Sequence, residues 1–177
     1  MDAIKVTKNK LSGWSNTTYS TSKTYQPTKY KEIVEIFKFA LSRNLTVSIV
    51  GGMRSYSDNF LNSEISININ KLNKIIELNG NELLVQSGVT FYDVADFLDG
   101  KGFMIEVIPG TGHVSIGGAV SNNIHGKNAF KSGFFGNHVL EITYINLSNF
   151  KIEKCTREEN SEVFYSVISG LGVLAVV

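Results

Sequence analysis

Three histidines and two lysines, His113, His125, His138, Lys127 and Lys131, share the interval from Val107 to Leu140, which contains no Asp or Glu. Seven of the chain's sixteen glycines fall in the same stretch, between Gly110 and Gly136. Glycine gives up backbone stability, so clustering is expected where φ must be positive or where another group approaches the main chain closely. A glycine-rich, cationic segment suits a bulky anionic ligand. A metal is not expected, because the histidines stand twelve and thirteen residues apart with no carboxylate between them to complete a site. No Ser-His-Asp pattern or nucleophile elbow is present, which leaves acyl chemistry without a nucleophile. The single cysteine, Cys155, reads as a buried or half-buried strand thiol, and it suits a reducing compartment.

Two loops carry the remaining chemistry. In Gly51-Gly-Met-Arg-Ser-Tyr-Ser-Asp58, a tight turn after a strand leaves the amides of Met53 to Tyr56 free to point at phosphate oxygens, with Arg54 and Ser55 adding donors. An ordinary turn is the alternative. In Pro109 to Asn128, the run Val114 to Val120 has only small or aliphatic side chains, so a flat ring could lie on its backbone. Close packing on a neighbouring helix is the alternative there. The nucleoside-triphosphate loop is excluded, since Gly126-Lys127 is followed by Asn128 and position 121 is Ser. Gly170-Leu-Gly172-Val-Leu-Ala175 spells the dinucleotide fingerprint but follows a helix and enters a strand, the reverse of the required context.

The elements that must position these loops read as an α+β fold. After a polar lead-in from Ser12 to Thr24, a helix starts near Pro27-Thr28 with Ile33, Val34, Phe37, Ala40 and Leu41 at helical spacing. Leu45 to Val50 is a strand, and Ile65, Ile67 and Ile69 alternate with Ser66 and Asn68 as in a half-buried strand. Asn79-Gly80 signals a hairpin with both turn residues at positive φ. Thr90 and Asp93 cap a helix through Leu98. Phe103 to Ile108, Val139 to Leu147 and Lys151 to Cys155 read as strands, Glu158 to Ile168 as a helix ended by Gly170, and Gly172 to Val177 as a buried strand. Adjacent strand pairs argue against a purely parallel, doubly wound sheet.

Composition bounds the rest. With 177 residues, 42% hydrophobic and 19% charged, the chain has ordinary globular proportions, and a net charge of +1 does not make a nucleic-acid footprint. Met1 to Lys10 lacks the apolar core of a signal peptide, and no run approaches the length of a membrane span. A cytoplasmic setting is expected, with attachment at a membrane surface left open.

Taken in order, Met53-Arg-Ser-Tyr-Ser-Asp58, Pro109-Gly-Thr111, Ser115-Ile-Gly-Gly-Ala119, Ile124-His-Gly-Lys-Asn128, Gly136-Asn-His-Val139 and Gly170-Leu-Gly172 resemble the FAD-binding domain of the vanillyl-alcohol-oxidase type (PCMH-type) flavoenzymes. The likeness is greater to the decaprenylphosphoryl-ribose oxidase branch than to alditol oxidase, and the His-Gly-Lys-Asn and Gly-Asn-His-Val stretches are its specific part. It implies a bilobal FAD-binding fold over residues 1–177, the N-terminal part of a larger enzyme whose substrate domain follows. Gly51, Gly52, Met53, Arg54, Ser55, Tyr56, Ser57 and Asp58 would wrap the pyrophosphate. Gly110, Thr111, Ser115, Ile116, Gly117, Gly118 and Asn122 would hold the other side of the FAD, with His125 beside the isoalloxazine and Val177 packed on the cofactor. Tyr56, His125 and Lys127 would face the substrate.

The implied reaction is hydride transfer to the flavin from a hydroxyl-bearing carbon of a sugar, polyol or lipid-linked pentose. A partner reductase is compatible with it. The alternative is a non-catalytic module binding FAD or a sugar-phosphate. Met53 and Ser57 depart from the family, which usually has glycines there, and a side chain at Met53 is expected to require negative φ. Arg54 aligns with the histidine that carries covalent flavin in some relatives, so the FAD is expected to be non-covalent.

Overall fold

Positions 5–26 carry no acidic residue and many Thr, Ser and Lys side chains, a polar composition that nevertheless forms two strands. In the computed structural model, which describes residues 4–177, β1 (Lys5–Ser12) pairs antiparallel with β2 (Tyr19–Gln26) in register from Lys5↔Gln26 to Ser12↔Tyr19. The polar lead-in expected from Ser12 to Thr24 is therefore mostly hairpin. β1 is a sheet edge, where lysines guard against unwanted strand pairing, so its pattern does not advertise burial.

The chain divides between Leu72 and Asn73 into two compact units. In the first, β1 and β2 are followed by α1 (Tyr30–Ser42), β3 (Val47–Val50) and β4 (Ile65–Asn68). The sheet order is β1-β2-β4-β3, with β4 parallel to both of its neighbours. Glu32 fixes the start of α1 by accepting from the amides of Thr28 (2.6 Å) and Lys29 (3.1 Å). The helix buries Ile33, Ile36 and Ala40, whereas Leu41 is 72% exposed, so the apolar stripe is rotated from the one expected.

β4 is buried at all four positions, not on alternate faces. Its buried Ser66 hydroxyl is met by Ser22 (2.8 Å) and lies 3.2 Å from that of Ser48, which satisfies the polar half of the pattern inside the sheet. Together β3, the loop 51–64 and β4 form a strand–loop–strand unit.

The second unit contains β5 (Ile75–Asn79), β6 (Glu82–Val85), α2 (Phe91–Leu98), α3 (Ile116–Ser121), α4 (Ala129–Ser132), a 3₁₀ turn (Phe135–His138), β7 (Glu141–Asn146), β8 (Lys151–Thr156) and α5 (Ser161–Val167). Asn79 pairs with Glu82, so the turn residues are Gly80 and Asn81, and only Gly80 has positive φ (58°). The hairpin is thus type II′, one residue later than expected. Thr90 caps α2 as anticipated, its hydroxyl accepting from the Asp93 amide at 3.2 Å.

Phe103 to Ile108 is not a strand; it leaves the left-handed Gly100 and Gly102 without a partner strand. Gly172 to Val177 is not one either. Val173 and Leu174 are exposed, and one bridge joins Val176 to Ile145. α5 begins later than expected, after a left-handed Asn160, and stops at Val167 before Gly170. The core of this unit gathers Phe91, Val107, Ala119, Ile142, Cys155 and Phe164, and burial pushes the Cys155 thiol pKa up. Among the described residues, no helix is long and apolar enough to cross a membrane. Both units mix helices and strands, in keeping with the α+β class.

Candidate functional site

The loop after β3 is shaped by one residue. Met53 has φ 53°, while neither Gly52 nor Arg54 is at positive φ. The expectation of negative φ at Met53 is therefore overturned: the loop keeps the left-handed turn where the family usually has glycine, and the Cβ is carried at a cost of about 1–2 kcal/mol. A left-handed residue between neighbours of the other hand tends to turn successive amides to one side, the concavity that receives anions.

Gly51 to Ser55 are half-buried, and Tyr56, Ser57 and Asp58 are exposed, with Tyr56 at 77%. The Ser55 and Ser57 hydroxyls lie 3.2 Å apart. Arg54 is the residue whose environment needs explaining. Its Nε is buried without a hydrogen-bond partner, Nη1 makes one long bond to the Met53 carbonyl (3.4 Å), and no carboxylate among the described residues pairs with it. A buried guanidinium N–H is costly to leave unpaired. A phosphate oxygen would satisfy it, so this donor set fits a pyrophosphate.

The second loop resolves into a short helix. Ser115 caps α3, its hydroxyl accepting from the Gly118 amide at 3.3 Å, while the amides of Ile116 and Gly117 donate to Val89 (2.7 Å) and Ser87 (2.8 Å). A Cβ on Gly117 would lie 2.7 Å from the Ser87 Cβ. Gly117 is therefore demanded by the chain's own packing, against the expectation that an external ligand explains it.

Gly118 differs. A Cβ there would meet only its own capping hydroxyl, Ser115 Oγ, at 3.0 Å, and one on Gly110 would meet nothing within 4 Å. Gly110 is bare backbone that the chain's own packing does not require, and at Gly118 only the capping hydroxyl crowds a Cβ, so both suit close approach by a planar group.

Thr111 and Ile116 flank these glycines, with Thr111 Oγ1 accepting from the His113 amide at 3.4 Å. Asn122 Nδ2 donates to the Gly118 carbonyl at 2.9 Å. His125 and Lys127 are exposed on the following segment, and the His125 ring meets Phe134 edge-on at 5.8 Å. Between them Gly126 is buried, a Cβ there lying 2.6 Å from the Ile108 carbonyl. His113 instead packs on Tyr92 and His138 Nε2 bonds the Ser132 carbonyl, so the three histidines do not converge. Val177 is half-buried against the unit's core.

The structure thus gathers Gly51 to Asp58 into one loop of the first unit and Ser115 to Asn122 into one turn of the second. Sequence reasoning missed Arg157, whose Nη2 holds the carbonyls of Gly136 (2.7 Å), Asn137 (3.0 Å) and Val139 (3.1 Å) and so secures the Gly-Asn-His-Val stretch. It also missed Gly13 and Trp14, which lie against the first loop.

In the first unit, a turn after a strand with a buried arginine Nε that lacks a hydrogen-bond partner suits a phosphorylated ligand. Residues 22–156 match the FAD binding domain family, and the chain belongs to it. The cofactor is FAD.

Relatives agree. The chain is 28% identical over 159 residues to D-arabinono-1,4-lactone oxidase of Candida glabrata, covering 86% of this chain and 30% of that protein. It is 26% identical over 155 residues to L-gulonolactone oxidase of Mus musculus, covering 86% and 35%. With decaprenylphosphoryl-beta-D-ribose oxidase of Mycolicibacterium smegmatis it shares 27% identity over 175 residues, covering 97% and 38%. The chain spans about a third of the length of these relatives.

Proposed function

We propose that this chain is the FAD-binding part of a flavin-dependent oxidoreductase that oxidises a hydroxyl-bearing carbon of a sugar-derived substrate: an aldonolactone, a polyol or a lipid-linked pentose. Its two units correspond in this reading to the lobes of the PCMH-type fold. The carrying observation is the buried, unpartnered Arg54 Nε in the left-handed turn after β3. Support comes from the family match and from relatives that are all named as oxidases of sugar-derived compounds.

Gly51 to Asp58 hold the pyrophosphate, with Arg54 neutralising it. In the second unit, Gly110, Thr111, Ser115, Ile116, Gly118 and Asn122 contact the FAD, with Gly117 setting the path of that backbone and Val177 packing on the cofactor. FAD, when bound, supplies a two-electron acceptor for the hydride. The exposed Tyr56, His125 and Lys127 face the substrate. Lys127 offers an ammonium that anchors or polarises a substrate oxygen, and Tyr56 and His125 offer hydrogen bonds that orient the carbinol.

Arg54 cannot form the covalent flavin link made by histidine, so the cofactor is held non-covalently. The surroundings proposed are cytoplasmic or at a membrane surface, where a partner reductase could reoxidise the flavin.

Purified full-length protein should release all its yellow colour on denaturation, and mass spectrometry of the released flavin should give FAD. Anaerobic addition of an aldonolactone, a polyol or a polyprenyl-phosphoryl pentose should bleach it. Release of FMN, colour retained on the precipitated chain, or no bleaching by any of the three would overturn the corresponding part of the reading.

A further inference from the structure

The turn between β1 and β2 touches the candidate pyrophosphate loop through consecutive residues. The Trp14 amide donates to the Ser55 carbonyl at 2.8 Å, and the Ser15 hydroxyl donates to the Tyr56 carbonyl at 3.0 Å. Gly13 lies so close that a Cβ there would stand 2.7 Å from the Ser55 carbonyl oxygen and 2.8 Å from that of Ser57. The Trp14 ring lies 5.0 Å from the Arg54 guanidinium carbon, within the range of a cation–π contact.

Two successive carbonyls, those of Ser55 and Tyr56, thus accept hydrogen bonds from one short turn, and that of Ser57 lies beside Gly13. The loop they belong to contains the left-handed Met53, a conformation that costs free energy and persists only where the surroundings over-determine it. Trp14 is 49% exposed, so its ring is not retained to fill the core.

We infer that the β1–β2 turn is a brace for the pyrophosphate loop: Gly13, Trp14 and Ser15 are positioning residues that hold the carbonyls of 55–57 to one side and the Arg54 guanidinium in place, leaving the loop amides for the anion. This rests on the reading that Arg54 and its loop bind the FAD pyrophosphate. The brace explains why the turn between two polar strands carries glycine and tryptophan. It also explains how the loop tolerates methionine where its shape favours glycine: bonds from outside the loop hold a conformation that the residue itself disfavours.

The test uses full-length protein, titrated with FAD after the flavin has been stripped. Gly13→Ala, which drives a methyl into two carbonyls, and Trp14→Ala should each raise the FAD dissociation constant by about tenfold, the lower end of what loss of supporting groups costs at metal sites. Trp14→Phe, which keeps a ring over the guanidinium, should recover most of the affinity. The phosphorus resonances of bound FAD should shift in Trp14→Ala and return in Trp14→Phe, a signature that a merely stabilising role leaves unmoved.

Arg54→Met separates the two claims. If it leaves FAD affinity unchanged, the pyrophosphate reading fails. If it weakens binding while Trp14→Ala does not, or if phenylalanine rescues neither affinity nor resonances, the brace is overturned. Should Gly13→Ala not fold, the Trp14 pair decides the matter alone.

Discussion

The two glycine-bearing segments reach a similar composition by opposite means. In the first unit, the turn that matters is made by a methionine in the left-handed region, in a loop whose Ser55 and Tyr56 carbonyls accept hydrogen bonds from a neighbouring hairpin turn. In the second, several glycines answer the chain's own packing: Gly112 against Tyr92, Gly117 against Ser87 and Gly126 against the Ile108 carbonyl. Only Gly110 and Gly118 remain without such a cause in its central stretch, apart from the capping hydroxyl beside Gly118. Glycine density is therefore a poor measure of ligand surface. The informative positions are a non-glycine where glycine fits best, and a glycine with nothing against it.

The largest effect that tests this contrast is at Gly117. Valine there must displace Ser87 in a buried position and should destabilise the cofactor-free protein by about 1–3 kcal/mol, as overpacking typically does. Chemical denaturation measures it, and an unchanged midpoint would return Gly117 to the ligand side of the comparison.

Gly118→Val should do the reverse. FAD affinity should fall by about tenfold, equivalent to about 1.4 kcal/mol, with little change in the melting of the apoprotein. A melting loss with normal FAD binding would erase the distinction between the two glycines.

Met53→Gly is expected to be milder still. Removing the Cβ relieves the left-handed strain but adds unfolded-state freedom, for a net stabilisation of about 0.5–1 kcal/mol. Destabilisation would show that the thioether is needed for packing rather than merely tolerated.

The second unit's last hairpin gives a pH signature for that unit. Burial first, and then the hydrogen bond donated to Glu153 (2.9 Å), push the Tyr144 pKa from 10.0 up to about 12. A raised folded-state pKa favours the neutral phenol, so this contribution is present below pH 10 and disappears as pH rises through 12. Tyr144→Phe should flatten that part of the stability profile, with tyrosinate absorbance following the titration directly. Glu153 has a lowered pKa, chiefly through hydrogen bonds from Asn146 and Asn149, and its contribution disappears instead as pH falls through its folded value.

Much of the scaffold was legible in residue order. Thr90 with Asp93 marked the start of α2, a helix was expected from near Pro27-Thr28 and begins at Tyr30, and β7 and β8 fell where expected. Signals of this kind act within a few residues and survive without tertiary context. The β1–β2 hairpin was hidden because edge strands present lysine and threonine to solvent, a composition shared with loops. Ile65 to Asn68 misled in the other direction, since buried Ser66 finds hydroxyl partners that its own neighbourhood does not announce.

The family and its cofactor were readable from motif order alone, and the FAD binding domain match over residues 22–156 accords with that reading. Residue types and spacing suffice there because a phosphate-binding turn needs particular backbone and donor chemistry within a few positions. Tertiary structure decided which of those residues are available. Arg54 is left with a buried unpaired Nε, Gly117 is taken up by Ser87, and Met53 is held left-handed beside a turn some forty positions away in sequence. Each of those outcomes depends on which distant backbone group arrives at contact distance, and local pattern carries no information about that.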